Sequence, residues 1–172
     1  MEHLVLTLIA PDQPGLVERL SNAIAGNGGN WLESRMSRMA GQFAGILRVD
    51  VAPEQSQALV AALEALDVHG IRVQVATSGS PEPVAGRQIT LELVGNDRPG
   101  IVRDITRLLA EHRVNVERLN TEVVPAPMSS ELLFQAQARL AVPADLPLDT
   151  LQQRLEALAD DLMVELKLQA ED

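Results

Sequence analysis

Cysteine is absent from the 172 residues. Disulfides, thiolate zinc sites and cysteine nucleophiles are therefore excluded. Aromatic residues are nearly missing too, since Trp31, Phe43 and Phe134 make up the whole 2%. With 46% of residues hydrophobic, the core has to be assembled from Leu, Val, Ile and Ala. Positive charge is scarce. Lys occurs once, at Lys167, and 14 basic residues stand against 24 acidic ones for a net charge of -10. No run of Lys and Arg exists that could displace counterions from phosphates, so direct nucleic-acid binding is not expected. Proteins and small molecules suit an acidic chain better. The start, Met1-Glu2-His3-Leu4-Val5, lacks the basic opening and apolar core of a signal peptide. No apolar stretch reaches the length of a membrane span. A soluble, cytoplasmic chain with no membrane partner is expected.

What is present is a repeat. Asp12-Gln13-Pro14-Gly15-Leu16-Val17 returns 85 residues later as Asp97-Arg98-Pro99-Gly100-Ile101-Val102. Each copy follows an apolar strand-like run, opens a helical pattern, and has an Asn 18 residues after its Asp, Asn30 and Asn115. The duplication implies two small domains, 1–77 and 88–172, joined by a linker over 78–87 that is rich in Ser, Gly and Pro. Domains of that size are marginal alone, so pairing within the chain or in a homo-oligomer is expected.

The spacing predicts the same element order twice. Leu4 to Ala10 is apolar except for Thr7 and reads as a strand buried on both faces, whereas Ile89, Leu91 and Leu93 alternate with Thr90 and Glu92. Helical spacing follows at Leu16, Val17, Leu20 and Ile24, and at Ile101, Val102, Ile105, Leu108 and Leu109. Hairpins are expected over 30–51, turning at Ala40-Gly41, and over 115–140, with a longer tip at Pro125-Ala126-Pro127-Met128. Second helices center on Leu59, Ala62, Leu63 and Leu66, and on Leu151, Leu155, Leu158 and Ala159. Final strands carry Ile71, Val73 and Val75, and Leu162, Val164, Leu166 and Leu168. Strand, helix, strand, strand, helix, strand is the α+β, ferredoxin-like βαββαβ unit, an antiparallel sheet with helices on one face. Val5 and Ile9 would point to the other face, which suggests that a neighbour covers it.

The repeated phrase has two readings. Proline suits a first helical turn, and the preceding Asp suits the free N–H groups and the helix dipole, so simple helix initiation is one. The other is a ligand site, because glycine permits close approach and a helix N-terminus attracts a small carboxylate. Asn30 and Asn115 open the next strand, which the βαββαβ order is expected to set beside the first. Their carboxamides could either bind an amino acid's ammonium and carboxylate or satisfy turn backbone.

A βαββαβ unit with Asp/Asn-x-Pro-Gly at the first strand–helix junction and Asn at the start of the second strand resembles the ACT domain. Two such units filling nearly the whole chain, with no catalytic domain attached, resemble the glycine cleavage system transcriptional repressor group. The resemblance implies a non-enzymatic regulator that binds glycine or a related amino acid at a domain interface and controls transcription through a protein partner, a transcription activator. An allosteric partner of a metabolic enzyme is the alternative. The ACT-domain resemblance implies ligand contacts at Asp12, Gln13, Gly15 and Leu16, at Asp97, Arg98, Gly100 and Ile101, and at Asn30 and Asn115. Asp stands at 12 and 97 where amino-acid-binding members often have Asn. That carboxylate could pair with a ligand ammonium but would repel its carboxylate, and only the second copy has an Arg98 to offset this.

Nothing else converges on chemistry. His3, His69 and His112 have no partners at metal spacing, and His112 suits a helix C-terminus. No Ser or Thr has a triad context, so catalysis is not expected, and no cofactor or metal is implied. Asp160-Asp161 and Glu171-Asp172 read as solvated charge. Met36 and Met39 read as core or interface filler. Trp31 is either core packing or the wall of a pocket.

Overall fold

Period-two alternation in two central strands organises the chain. A computed structural model describes residues 1–79, 82 and 86–171. The chain divides into two units, Met1–Glu82 and Pro83–Asp172. In the first, β1 (Glu2–Pro11), α1 (Leu16–Gly26), β2 (Asn30–Met39), β3 (Gln42–Val51) and α2 (Pro53–Glu64) are followed by a short 3₁₀ turn, Ala65–His69, and β4 (Arg72–Ser78). The second repeats this as β5 (Arg87–Asn96), α3 (Ile101–Glu111), β6 (Asn115–Pro125), β7 (Leu132–Val142), α4 (Leu148–Leu162) and β8 (Val164–Ala170). The sheet orders are β2-β3-β1-β4 and β6-β7-β5-β8, with every pair antiparallel. Both units are thus α+β, ferredoxin-like βαββαβ folds. The ends of the expected linker are strand, since β4 runs through Ser78 and β5 opens at Arg87. Its residues Ser80, Pro81, Pro83, Val84 and Ala85 lie outside the described residues.

Each unit has its own core between its sheet and its two helices. Leu4, Leu6, Leu8 and Ala10 of β1 pack with Leu20 and Ile24 of α1 and Leu59 and Leu63 of α2. Ile89, Leu91 and Leu93 of β5 pack with Ile105 and Leu109 of α3 and Leu151 and Leu155 of α4. The helices cover one face only. Thr7 and Ile9 are therefore exposed, and β1 is not buried on both faces; Ile9 keeps 47% of its surface. Val17 and Val102 are exposed as well, at 46% and 39%, because they lie beside the 16-20-24 and 101-105-109 stripes. Leu66 falls in the 3₁₀ turn, and Leu162 ends α4, where Met163 takes a left-handed φ of 57° before β8 begins. No helix among the described residues is long and apolar enough to cross a membrane.

The helix starts correct one local expectation. Leu16 and Ile101 are the first helical residues, and the caps are Gly15 and Gly100, with left-handed φ of 89° and 93°. Pro14 and Pro99 therefore precede the caps instead of opening the first turn, and Asp12 and Asp97 make no cap hydrogen bond. Proline at the first helical position occurs elsewhere, at Pro53 of α2. The helix ends match in conformation but not in residue type. Gly28, after α1, has φ 74°, and Arg113, after α3, has φ 56°.

Two outcomes follow. Leu59→Ala empties a fully buried position and should cost about 2–5 kcal/mol, read as a lower urea midpoint; an unchanged midpoint would contradict this core. A Cβ at Gly15 meets nothing within 4 Å, so Gly15→Ala should lose only the left-handed allowance, about 1–2 kcal/mol. A stabilising Gly15→Ala in the same titration would show that the cap is not left-handed.

Candidate functional site

The two helix-start loops are fixed by backbone before any side chain acts. Asp12 N–H donates to the Gly41 carbonyl at 2.9 Å, tying the end of β1 to the first hairpin's turn. Asp97 N–H donates to the Leu132 carbonyl at 2.9 Å, where β7 begins. The caps then accept the first helical bonds, Arg19 N–H to Gly15 O at 3.0 Å and Asp104 N–H to Gly100 O at 2.9 Å. N–H groups before these have no carbonyl partner in the helix, and neither cap supplies a side chain. Each loop thus offers backbone donors and a dipole to an anion.

In the first unit this loop borders an open depression of about 300 Å³ lined by Asp12, Gln13, Gly15, Leu16, Val17, Glu18 and Phe43. Asp12, Gln13, Gly15 and Leu16 were expected there. Val17, Glu18 and Phe43 were not, although register places Phe43 opposite Ala10 at the end of β1. Gln13 is engaged through its Nε2, 3.5 Å from the His69 carbonyl. The Asp12 carboxylate lies 3.7 Å from Arg38 Nη1 on β2, an exposed pairing worth little by itself. The two loops differ in charge. Over equivalent positions the first carries Asp12, Glu18 and Arg19, an excess of one acid, whereas the second carries Asp97, Arg98, Arg103 and Asp104 in balance, with Arg103 Nε 3.2 Å from Asp104. The second suits a ligand carboxylate better.

Asn30 and Asn115 do not join these loops within a unit. The β1–α1–β2 crossover skips a position, and the returning β3 fills it, so β2 is not beside β1 as the sequence reading had it. Asn30 pairs with Asp50, which pairs with His3. Asn115 pairs with Ala141, which pairs with Gln88. His3 and Gln88 each lie nine residues before the loop Asp, or roughly 30 Å at the strand rise of about 3.3 Å per residue. The Asn therefore marks the opposite end of the sheet. At that end of the second unit, Arg113, Asn115, Glu117 and Pro143 help to line an open depression of about 630 Å³.

The remaining residues take structural parts. Trp31 and Met36 pack against the first core, and the Trp31 Nε1–H donates to Ser34 Oγ at 3.3 Å. Met39 is exposed. His112 Nδ1 lies 2.9 Å from the Leu108 carbonyl at the end of α3. His3 Nδ1 lies 2.5 Å from Asp50 Oδ1, a partner the sequence reading did not assign. Glu171 is not simply solvated, since it pairs with Arg139 at 3.0 Å. No group of three or more His, Cys, Asp or Glu residues among the described residues could hold a metal ion.

Comparison with known proteins agrees with this fold. Residues 2–76 match the ACT domain, and residues 89–160 match it again. The glycine cleavage system transcriptional repressor of Escherichia coli (strain K12) is 21% identical over 162 residues, covering 93% of this chain and 85% of that protein. A crystal structure of an unknown protein from Galdieria sulphuraria superposes with a TM-score of 0.87 at 27% identity, covering 99% of both chains. A putative glycine cleavage system transcriptional repressor superposes with a TM-score of 0.72 at 17% identity, covering 99% of this chain and 98% of that one, which speaks for the fold. The chain belongs to the ACT domain family, with two ACT domains in tandem.

Proposed function

We propose that this chain is a non-catalytic regulator that responds to glycine or a related amino acid and represses transcription, through a protein partner, in control of the glycine cleavage system. The observation that carries the ligand half is the pair of helix starts, left-handed at Gly15 and Gly100 and without a side-chain cap. The repressor half is supported by the Escherichia coli relative, aligned over 93% of this chain. Backbone N–H groups at Leu16 and Ile101 receive the ligand carboxylate, and Asp12 and Asp97 receive its ammonium. Gln13 and Arg98 flank the two loops, and Arg98 makes the second the stronger. Asn30 or Asn115 reaches such a ligand only from another copy of the domain, which pairing within the chain or homo-oligomerisation supplies. The ligand then favours the packing that completes its site. An acidic chain with one Lys acts through a protein such as a transcription activator and not on DNA directly.

Thermal unfolding against the common amino acids tests the ligand. At a hundred times its dissociation constant, the cognate one should add about 2.7 kcal/mol, a rise of several degrees for a chain of this size. The rise should vanish in Asp97→Ala and in Asn115→Ala. If no amino acid moves the midpoint, the ligand reading is wrong. Capture of a metabolic enzyme instead of a transcription activator would overturn the repressor half.

A further inference from the structure

The duplication supplies an internal control on the sheet face that the helices leave open. In the first unit, one row across the sheet reads Ala76, Val5, Arg48 and Glu33 on β4, β1, β3 and β2. Arg48 Nε and Glu33 Oε1 form an ion pair at 3.0 Å there. The corresponding row of the second unit reads Gln169, Thr90, Arg139 and Arg118. Arg118 thus stands where the first unit has Glu33. Register sets these two arginines opposite each other across β6 and β7, and like charges so placed cost stability when nothing lies between them.

Arg139 is only partly compensated. Its Nη2 lies 3.0 Å from Glu171 Oε2 and also donates to Gln88 Oε1. Thr90 Oγ1 donates to Glu171 Oε1 at 2.9 Å, which completes the hold on that carboxylate. The Arg139 Nε is buried with no hydrogen-bond partner among the described residues, an omission that is costly for a charged donor. Arg118 has no ion pair among the described residues. Both arginines, with Asn120, Gln137, Thr90 and Glu171, line an open depression of about 150 Å³. That is room for a small oxyanion.

We propose that the Arg118–Arg139 pair on the open face of the second ACT domain is a binding site for a small oxyanion, a carboxylate or a phosphate, with Glu171 as its built-in competitor. The two guanidinium forks supply charge and planar donors. Asn120 and Gln137 supply neutral donors beside them. Glu171 holds Arg139 while the site is empty, and an incoming anion displaces it. The site lies on the open face, apart from the helix-start loops, and does not depend on the amino-acid reading.

Isothermal titration of the full chain with inorganic phosphate and, separately, with succinate tests this and distinguishes the two chemistries. The unmodified chain should bind one of them, and Glu171→Gln should bind it several-fold more tightly. Arg118→Glu rebuilds the ion-pair row of the first domain and should fold at least as stably. It should bind more than tenfold more weakly, as loss of one charge-assisted contact of about 1.5–3 kcal/mol requires. Arg118→Gln serves as the second variant if Arg118→Glu does not fold. Equal binding by an arginine variant and the unmodified chain overturns the proposal. So does the absence of heat with both anions in the unmodified chain and in Glu171→Gln.

Discussion

Each domain depends on one strand being bonded along both edges. β1 lies between β3 and β4, and β5 lies between β7 and β8. A strand so placed cannot shift by one residue without turning its whole apolar set away from the helices. That constraint puts Leu4, Leu6 and Leu8 inward and Val5, Thr7 and Ile9 outward. It also sets the ends of the sheet. The helix-start loop must leave at one end, and the strand that begins with Asn30 or Asn115 must start at the other.

Within that frame the two copies have diverged where the frame allows it. Core positions stay apolar in both, because each is enclosed by helix and sheet. The open face makes no such demand. His3 and Asp50 form a close pair in the first domain, and the same row of the second holds Gln88 and Ala141. Glu33 and Arg48 face each other in one domain, Arg118 and Arg139 in the other. Even the turn after the first helix keeps its left-handed conformation while exchanging Gly28 for Arg113. A backbone that tolerates these exchanges can carry two chemistries on one architecture.

Architecture was legible in the sequence because it rests on periodicity and breakers. The first hairpin, with Ala40-Gly41 at its turn, falls at its expected residues. Boundaries set by a single dihedral were less legible. Met163 in a left-handed conformation gives Leu162 to a helix and not to the strand. Proline before a helix does not reveal which residue caps it, and here the cap is the glycine. The candidate site was legible as a set of loop residues but not as a place. Sequence spacing sets Asn30 18 residues after Asp12, and only strand order shows that the sheet separates them. The Arg118–Arg139 pair was invisible for the same reason. It requires the register of β6 on β7, including the irregularity between Val116 and Arg118.

All strand pairs of the first sheet lie within residues 2–78. During synthesis, the first sheet has every partner it needs once Ser78 has left the ribosome. The remaining chain takes seconds more at ~5–20 residues per second, whereas hairpins form in about microseconds. The first sheet can therefore close while the strands of the second are still being made.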